Sequence, residues 1–258
     1  MKNELLIFSG ILGASLGSFL NVVAHRSIMG RSWFGASRSE CEACHKILKW
    51  YELIPIISYL IQFGRCRNCH EKISIRYLLV EIIGLCAGII IYLKFKISFE
   101  YFIALIGFSS FLLNSLTDIE TGDVFDLYAL TPGVTCLIIK LFLGLNIFLD
   151  GVYGMCAGFL IFALIILLTR GGMGWGDATF MAGAGGVLGL KFILLGFYLG
   201  IMLGGFCVII LLLIGKIHLG RGEKIFLVPF LAIGNFTAMI YGNEILKFLG
   251  YDVLIQMI

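Results

Sequence analysis

The run GVYGMCAGFLIFALIILLT, residues 151–169, holds no charged side chain before the chain reaches Arg170. Such a stretch reads as a bilayer-crossing helix, because about 20 apolar residues rising about 1.5 Å each span a hydrocarbon core about 30 Å thick. Similar runs lie at about 5 to 24, 77 to 93, 100 to 117, 126 to 145, 178 to 190, 192 to 214 and 226 to 247, judged by the same length rule. In lipid every backbone polar group must bond within the protein, so runs of this length must be helical. The whole 258-residue chain agrees, with 60% hydrophobic and 14% charged residues and a mean hydropathy of +1.02, values that exclude an ordinary soluble fold. The expected fold class is therefore an all-α polytopic membrane protein with about eight transmembrane helices. Its 33 glycines suit helices that pack closely in lipid. No small-residue cleavage site follows the first run, which reads as a retained helix rather than a signal peptide.

Orientation follows from lysine and arginine, which hold short loops in the cytoplasm. The segment from His25 to Arg76 carries nine: Arg26, Arg31, Arg38, Lys46, Lys49, Arg65, Arg67, Lys72 and Arg76. That segment is expected to be cytoplasmic. Parity then places the 117–125 loop, the 170–177 loop and the loop with Lys216, Arg221 and Lys224 on the same side, with Lys94 and Lys96 as local exceptions. The formal charge is only +3. The expected surroundings are a lipid bilayer, no nucleic-acid partner is expected, and the oligomeric state is not legible.

The basic segment contains Cys41-Glu-Ala-Cys44 and Cys66-Arg-Asn-Cys69, separated by 21 residues. Two Cys-x-x-Cys pairs suit tetrahedral zinc, each pair forming one knuckle, and four thiolates leave no coordination site for water. Zinc is thus expected as a structural element of a small cytoplasmic module between the first two helices. Disulfides are disfavoured in a reducing compartment. An alternative starts from His45 and His70, which complete two Cys-x-x-Cys-His signatures for c-type haem and suggest a di-haem electron carrier. That haem is attached outside the cytoplasm, against the pull of nine positive charges. Cys86, Cys136, Cys156 and Cys207 lie in apolar runs and read as packing residues. His25 and His218 flank helix ends and are left out of the expected site.

Two carboxylates stand at the mouths of apolar helices, Asp118 in Leu116-Thr117-Asp118-Ile119-Glu120 and Asp177 in Gly174-Trp175-Gly176-Asp177. An ionisable group beside hydrocarbon is costly, which marks both as candidates for chemistry. Neighbouring carboxylates do not ionise together easily and can share one proton, the arrangement of an aspartyl hydrolase. Gly174 and Gly176 would let backbone approach an extended substrate. The plainer reading of this stretch is a turn with Asp177 capping the next helix. Glu120, Asp123 and Asp126 add three carboxylates nearby; Glu120 and Asp123 suit attraction of a positively charged segment, or else form a solvated acidic turn. Asp126 reads as structural support, and Asp150 falls on the opposite face, away from the pair. A proton-coupled transporter with an aspartate pair is a further alternative, but it predicts acids near the bilayer midplane and gives the cysteines no use.

These motifs together resemble the type IV prepilin peptidases, the bifunctional leader peptidase and N-methyltransferase family of bacterial pilus, type II secretion and competence systems. Gly17-Ser18-Phe19-Leu20-Asn21-Val22 within Gly13 to Arg26 looks like the family's opening helix. Arg38-Ser39, Trp50, Ile54-Pro55, Ser58-Tyr59-Leu60, Gly64-Arg65, Ile73-Ser74-Ile75-Arg76-Tyr77 and Glu81 are similar in order and spacing around the cysteine pairs. Asp118 and Asp126 match the ends of the first catalytic motif, although Val124-Phe125 lacks its proline, and Gly174 to Ala178 matches the second. Gly222-Glu223-Lys224-Ile225 and Pro229 to Gly234 are similar to the segment entering the last helix, while Ser27-Ile28-Met29 lacks a common proline. The resemblance implies that Asp118 and Asp177 are catalytic and that the cysteines hold zinc. It implies cleavage of a basic leader from a prepilin or pseudopilin, after glycine, at the bacterial cytoplasmic membrane. It also implies methyl transfer from S-adenosylmethionine, for which the residues themselves offer no contacts. Gly183-Ala-Gly185-Gly186 lies in an apolar run without a preceding strand and reads as helix packing, not as a nucleotide turn. The expected division is 1–97, two helices with the cysteine module and the methyltransferase association, and 98–258, the peptidase membrane domain.

Overall fold

The structure, a computed structural model, describes residues 2–34, 38–169, 173–215 and 226–250. Its helices are α1 (Lys2–Ile28), α2 (Ile57–Ile61), α3 (Ile75–Phe95), α4 (Phe99–Thr121), α5 (Asp126–Leu143), α6 (Leu145–Leu168), α7 (Trp175–Leu188), α8 (Leu190–Leu213) and α9 (Val228–Phe248), with a 3-10 turn at Trp50–Glu52. Among the described residues the only extended pairings are two isolated bridges, Glu40 with Ile47 and Arg65 with Lys72. All eight expected runs are helices. Six of them, α1, α3, α4, α5, α6 and α8, are long and apolar enough to cross a membrane. The other two differ for identifiable reasons: α7 has only 14 residues, and α9 carries Asn235, Asn243, Glu244 and Lys247. The chain is a multi-pass helical membrane protein.

One boundary moves. The expected 126–145 run ends at Leu143, and α6 begins at Leu145 after the single residue Gly144, whose φ of 149° is open to glycine but strained for other residues. Asp150 therefore lies inside α6, where its Oδ1 accepts the Leu190 N–H at 3.1 Å and caps the start of α8. The loop with Lys216, His218, Arg221 and Lys224, the Gly222 to Ile225 segment and residues 170–172 lie outside the described residues.

The chain forms two compact units, Met1–Tyr101 and Phe102–Ile258. In the first, α1 and α3 run antiparallel along a seam of small residues. A Cβ added at Gly13 would strike the Gly84 carbonyl, one at Gly84 the Gly13 carbonyl, and one at Gly88 the Ser9 carbonyl. Ser9 Oγ donates to Gly88 O at 2.7 Å, closing the seam with a hydrogen bond. Farther along α3, the Glu81 carboxylate accepts Ser18 Oγ–H at 2.7 Å and the Ile56 N–H at 2.6 Å. Ile56 forms a γ-turn, with φ 64° and ψ −53° and its neighbours closed by Ile57 N–H to Pro55 O. That conformation is strained for a β-branched residue, and Glu81 holds it in place.

In the second unit α7 is the central element, packed against α5, α6, α8 and α9. Its residues from Phe180 to Leu188 are all buried. The glycine cluster serves helix packing, as expected: a Cβ at Gly183 would strike the Ala129 carbonyl of α5, and one at Gly185 the Gly154 carbonyl of α6. Van der Waals contact between backbones supplies what the hydrophobic effect does not supply between helices in lipid. Gly84→Val and Gly183→Val should each destabilise the protein by at least about 3 kcal/mol through forced separation. Gly205, whose Cβ would meet nothing within 4 Å, should accept alanine without loss. Thermal unfolding in detergent measures all three, and equal effects would refute the backbone-contact account.

Candidate active site and metal centre

Asp118 occupies the last turn of α4 and is 6% exposed. One turn earlier, the fully buried Asn114 donates from Nδ2 to Tyr128 O at 3.2 Å, tying α4 to the first turn of α5. From the other side, Val228 N–H donates to Asp118 Oδ2 at 3.1 Å. Val228 is the first residue of α9, so its N–H is one of the donors that a helix leaves unpaired at its start. The Asp118 carboxylate fills that vacancy and joins α4 to α9.

Asp177 lies in the first turn of α7, outside the six membrane-length helices. Burial first, and the Asp118 charge second, push its carboxyl up to about 6. Asp118 thus lies near enough for its charge to act on Asp177. The N-cap of α7 is Gly174, and no side chain caps this helix, so Asp177 is not the capping residue of an ordinary turn. The two glycines differ in role. A Cβ on Gly176 would come within 2.8 Å of Val124 Cβ, whereas one on Gly174 would meet almost open space. Close packing requires the first; the second leaves exposed backbone.

Glu120, Asp123 and Asp126 are exposed. Asp126 follows the N-cap Phe125 and lies within the first turn of α5, where its charge offsets the positive end of the helix dipole. Phe125 has φ −82°, close to the value that proline fixes. Of the remaining cysteines, Cys136 is buried, while Cys86 and Cys156 are exposed on helix surfaces, where lipid would replace a core. The Val228 contact was not anticipated, although Pro229 at the second position of α9 marks a helix start in the sequence.

The cysteines build a second centre, within the first unit. One sulfur from each of Cys41, Cys44, Cys66 and Cys69 lies within 4.8 Å of the others. The two knuckles repeat each other at an offset of 25 positions: Cys41 N–H donates to Lys46 O and Cys66 N–H to Glu71 O, while His45 and His70 N–H return to the Cys41 and Cys66 carbonyls. His45 and His70 have φ of 55° and 60°, a left-handed conformation that histidine adopts more readily than most residues. Their place after each cysteine pair thus has a turn-making reason. Backbone N–H groups of Cys69 and Asn68 hold the Cys66 thiol down at about 7. Cys41 and Cys69 sulfurs are 3.8 Å apart, close to the edge of a tetrahedron with Zn–S bonds near 2.3 Å. The four residues can hold a single metal ion. Two haems would need separate pairs.

Helices of membrane length, two carboxylates at helix ends and a tetracysteine module define a polytopic membrane protein with a candidate acid–base site. Residues 11–95 match the model of the bacterial peptidase A24 N-terminal domain, and residues 105–209 that of the type IV leader peptidase family. The chain is 32% identical over 245 residues to the prepilin leader peptidase/N-methyltransferase of Bacillus subtilis, covering 92% of this chain and 95% of that protein. It is 30% identical over 263 residues to the protein of that name from Pseudomonas putida, covering 91% and 90%. Its likeness to the Pseudomonas aeruginosa protein is 31% over 277 residues, 93% of each chain. No solved structure matches. The chain belongs to the type IV leader peptidase family.

Elemental analysis of the purified protein should return one zinc per chain, lost in Cys66→Ser but kept in His45→Gly and His70→Gly, with no haem absorbance; metal loss in the histidine variants would overturn their assignment as turn residues. A carboxyl whose folded-state pKa is raised stabilises the fold most at low pH and loses that contribution as pH rises. For Asp177 the window runs from its usual 3.8 to about 6. Asp177→Asn should therefore raise the unfolding temperature at pH 7.5 more than at pH 4, and a pH-independent change would contradict the burial argument.

Proposed function

We propose that this protein is an aspartyl endopeptidase that removes the basic leader from type IV prepilins or pseudopilins after glycine, at the cytoplasmic face of the bacterial inner membrane, and then N-methylates the new N-terminal residue. The reading is supported by Asp118, at the end of α4, lying near enough to raise the carboxyl of Asp177, at the start of α7. Two neighbouring carboxylates hold one proton between them near neutral pH. The ionised member takes a proton from water as the oxygen attacks the scissile carbonyl carbon, and the protonated partner donates to the carbonyl oxygen. Collapse of the tetrahedral intermediate returns a proton to the leaving amine. The titration belongs to the pair, so neither aspartate is assigned the proton.

Gly174 leaves exposed backbone that can hydrogen-bond an extended substrate, while Gly176 supports that stretch by packing against Val124. Asp126 supports the turn into α5. Glu120 and Asp123, exposed beside the pair, attract the positive leader, an effect that salt weakens. Four thiolates close the coordination shell of a structural zinc and leave no position for water. The names of the relatives support methyl transfer from S-adenosylmethionine, assigned here to residues 1–97, with peptide cleavage assigned to 98–258. The cytosolic orientation rests on the nine basic residues from Arg26 to Arg76.

Incubation of the detergent-solubilised enzyme with a prepilin, followed by mass spectrometry, tests the assignment. Asp118→Asn and Asp177→Asn should each reduce leader removal at least a thousandfold with the fold intact, and a wild-type product should gain one methyl group at its new N-terminus. Joint replacement of Glu120 by Gln and Asp123 by Asn should raise KM for basic leaders several-fold at low salt and little at high salt. Full cleavage by either aspartate variant, or substrate-free proton flux through the wild type, would sink the peptidase reading.

A further inference from the structure

We infer that a cavity in the first unit, at the junction of α1, α3 and the cysteine module, binds the methyl donor, and that its walls select a cationic, hydrogen-bond-donating ligand of the S-adenosylmethionine class. The inference rests on the methyltransferase reading above. A space of about 720 Å³ opens there, and a smaller one of about 190 Å³ adjoins it through His25, Glu42, Ser74 and Tyr77. The larger lies within the range of small-molecule sites.

Charge is sorted around this space. Between His25 and Arg76 the chain has four glutamates and nine lysines and arginines. All four glutamates, Glu40, Glu42, Glu52 and Glu71, line the larger cavity, but only Arg26, Arg31 and Lys72 of the basic residues do. A segment that is basic overall thus places all four of its glutamates around one cavity, although Glu40, Glu42 and Glu71 stay exposed to solvent. Glu81 also lines the cavity, but both its oxygens are already bonded, to Ser18 and Ile56.

The second observation is independent of charge. Asn21, on α1, is 2% exposed and lines the smaller cavity, and its Oδ1 has no hydrogen-bond partner. A buried carbonyl oxygen accepts only, so the group that completes it must bring an N–H or O–H. Between the two spaces, Tyr77 Oη–H donates to Glu42 Oε1 at 2.8 Å and fixes one carboxylate at the junction. Arg76 lines the same smaller cavity as Asn21, so the acceptor there suits an N–H group of the ligand and the glutamates around the larger space suit its positive charge. S-adenosylmethionine has both, in its sulfonium, ammonium and adenine amine, and when bound it supplies an electrophilic methyl group. Tyr59 and the apolar Val22 and Leu53 provide surface for its ring. Cys41 and Cys66 form part of the same wall, so the metal centre shapes the cavity.

Equilibrium dialysis of the full-length protein in detergent with radiolabelled S-adenosylmethionine tests the site without recourse to activity. Asn21→Leu, which removes the acceptor at similar volume, should raise Kd at least tenfold, and Glu42→Gln, at an exposed position, at least threefold. Zinc content and unfolding temperature report whether each variant is folded. Should Asn21→Leu not fold, Glu42→Gln alone decides the matter. Sinefungin, which carries an amine in place of the sulfonium, should compete better than S-adenosylhomocysteine, whose thioether sulfur is uncharged. Donor binding by folded variants as tight as in the wild type would overturn the location while leaving the methyltransferase reading intact. No binding of the donor to the wild type at all would overturn that reading itself.

Discussion

Apolar side chains gain nothing by leaving lipid for another helix, so membrane helices associate through the atoms that can touch most closely. In this chain those atoms are backbone. Gly13, Gly84 and Gly88 let α1 and α3 meet main chain to main chain, and Gly183, Gly185 and Gly154 do the same where α7 crosses α5 and α6. Each unit depends on this contact because it fixes the separation and register of the helices that carry chemistry. The register of α7 decides where Asp177 emerges, and the seam between α1 and α3 decides where Asn21 and Glu81 are held.

The aspartates follow from the same geometry with one addition. Burying a carboxylate costs free energy unless hydrogen bonds compensate. For Asp118 part of the compensation comes from Val228 N–H at the start of α9. A helix needs a partner for its first N–H groups and a buried carboxylate needs a donor, so one contact meets both demands. Asp177 has no such cap and feels the neighbouring charge instead. The pair is unequal in its surroundings although its members are chemically identical.

Much of this was legible before any coordinates. Hydropathy located eight helices to within a few residues, because lipid imposes length and polarity together. The cysteine spacing placed four thiolates on one centre because each pair closes its own turn. Other features escaped for physical reasons. Hydropathy reports polarity and says nothing of direction, so the single-residue break at Gly144 and the capping by Asp150 were hidden inside apolar text. The histidines after each cysteine pair also complete a haem signature, and only their positive φ supplies a local reason for their place. The cavities beside Asn21 are assembled from residues 18 to 81 in sequence, and no spacing rule connects an orphaned acceptor with distant glutamates.

The length of α7 has its own consequence. Fourteen residues rise about 21 Å, roughly 9 Å less than the hydrocarbon thickness. Because α7 is enclosed by other helices rather than by lipid, the shortfall need not be met by tilting or thinning. Asp177 stands in the first turn of this short helix. Peptide hydrolysis consumes one water per turnover, and a site fully immersed in hydrocarbon would starve for that second reactant. A central helix about six residues short of a full span cannot hold both its ends at the membrane faces, so a reaction at a recessed end depends on solvent admitted between the surrounding helices.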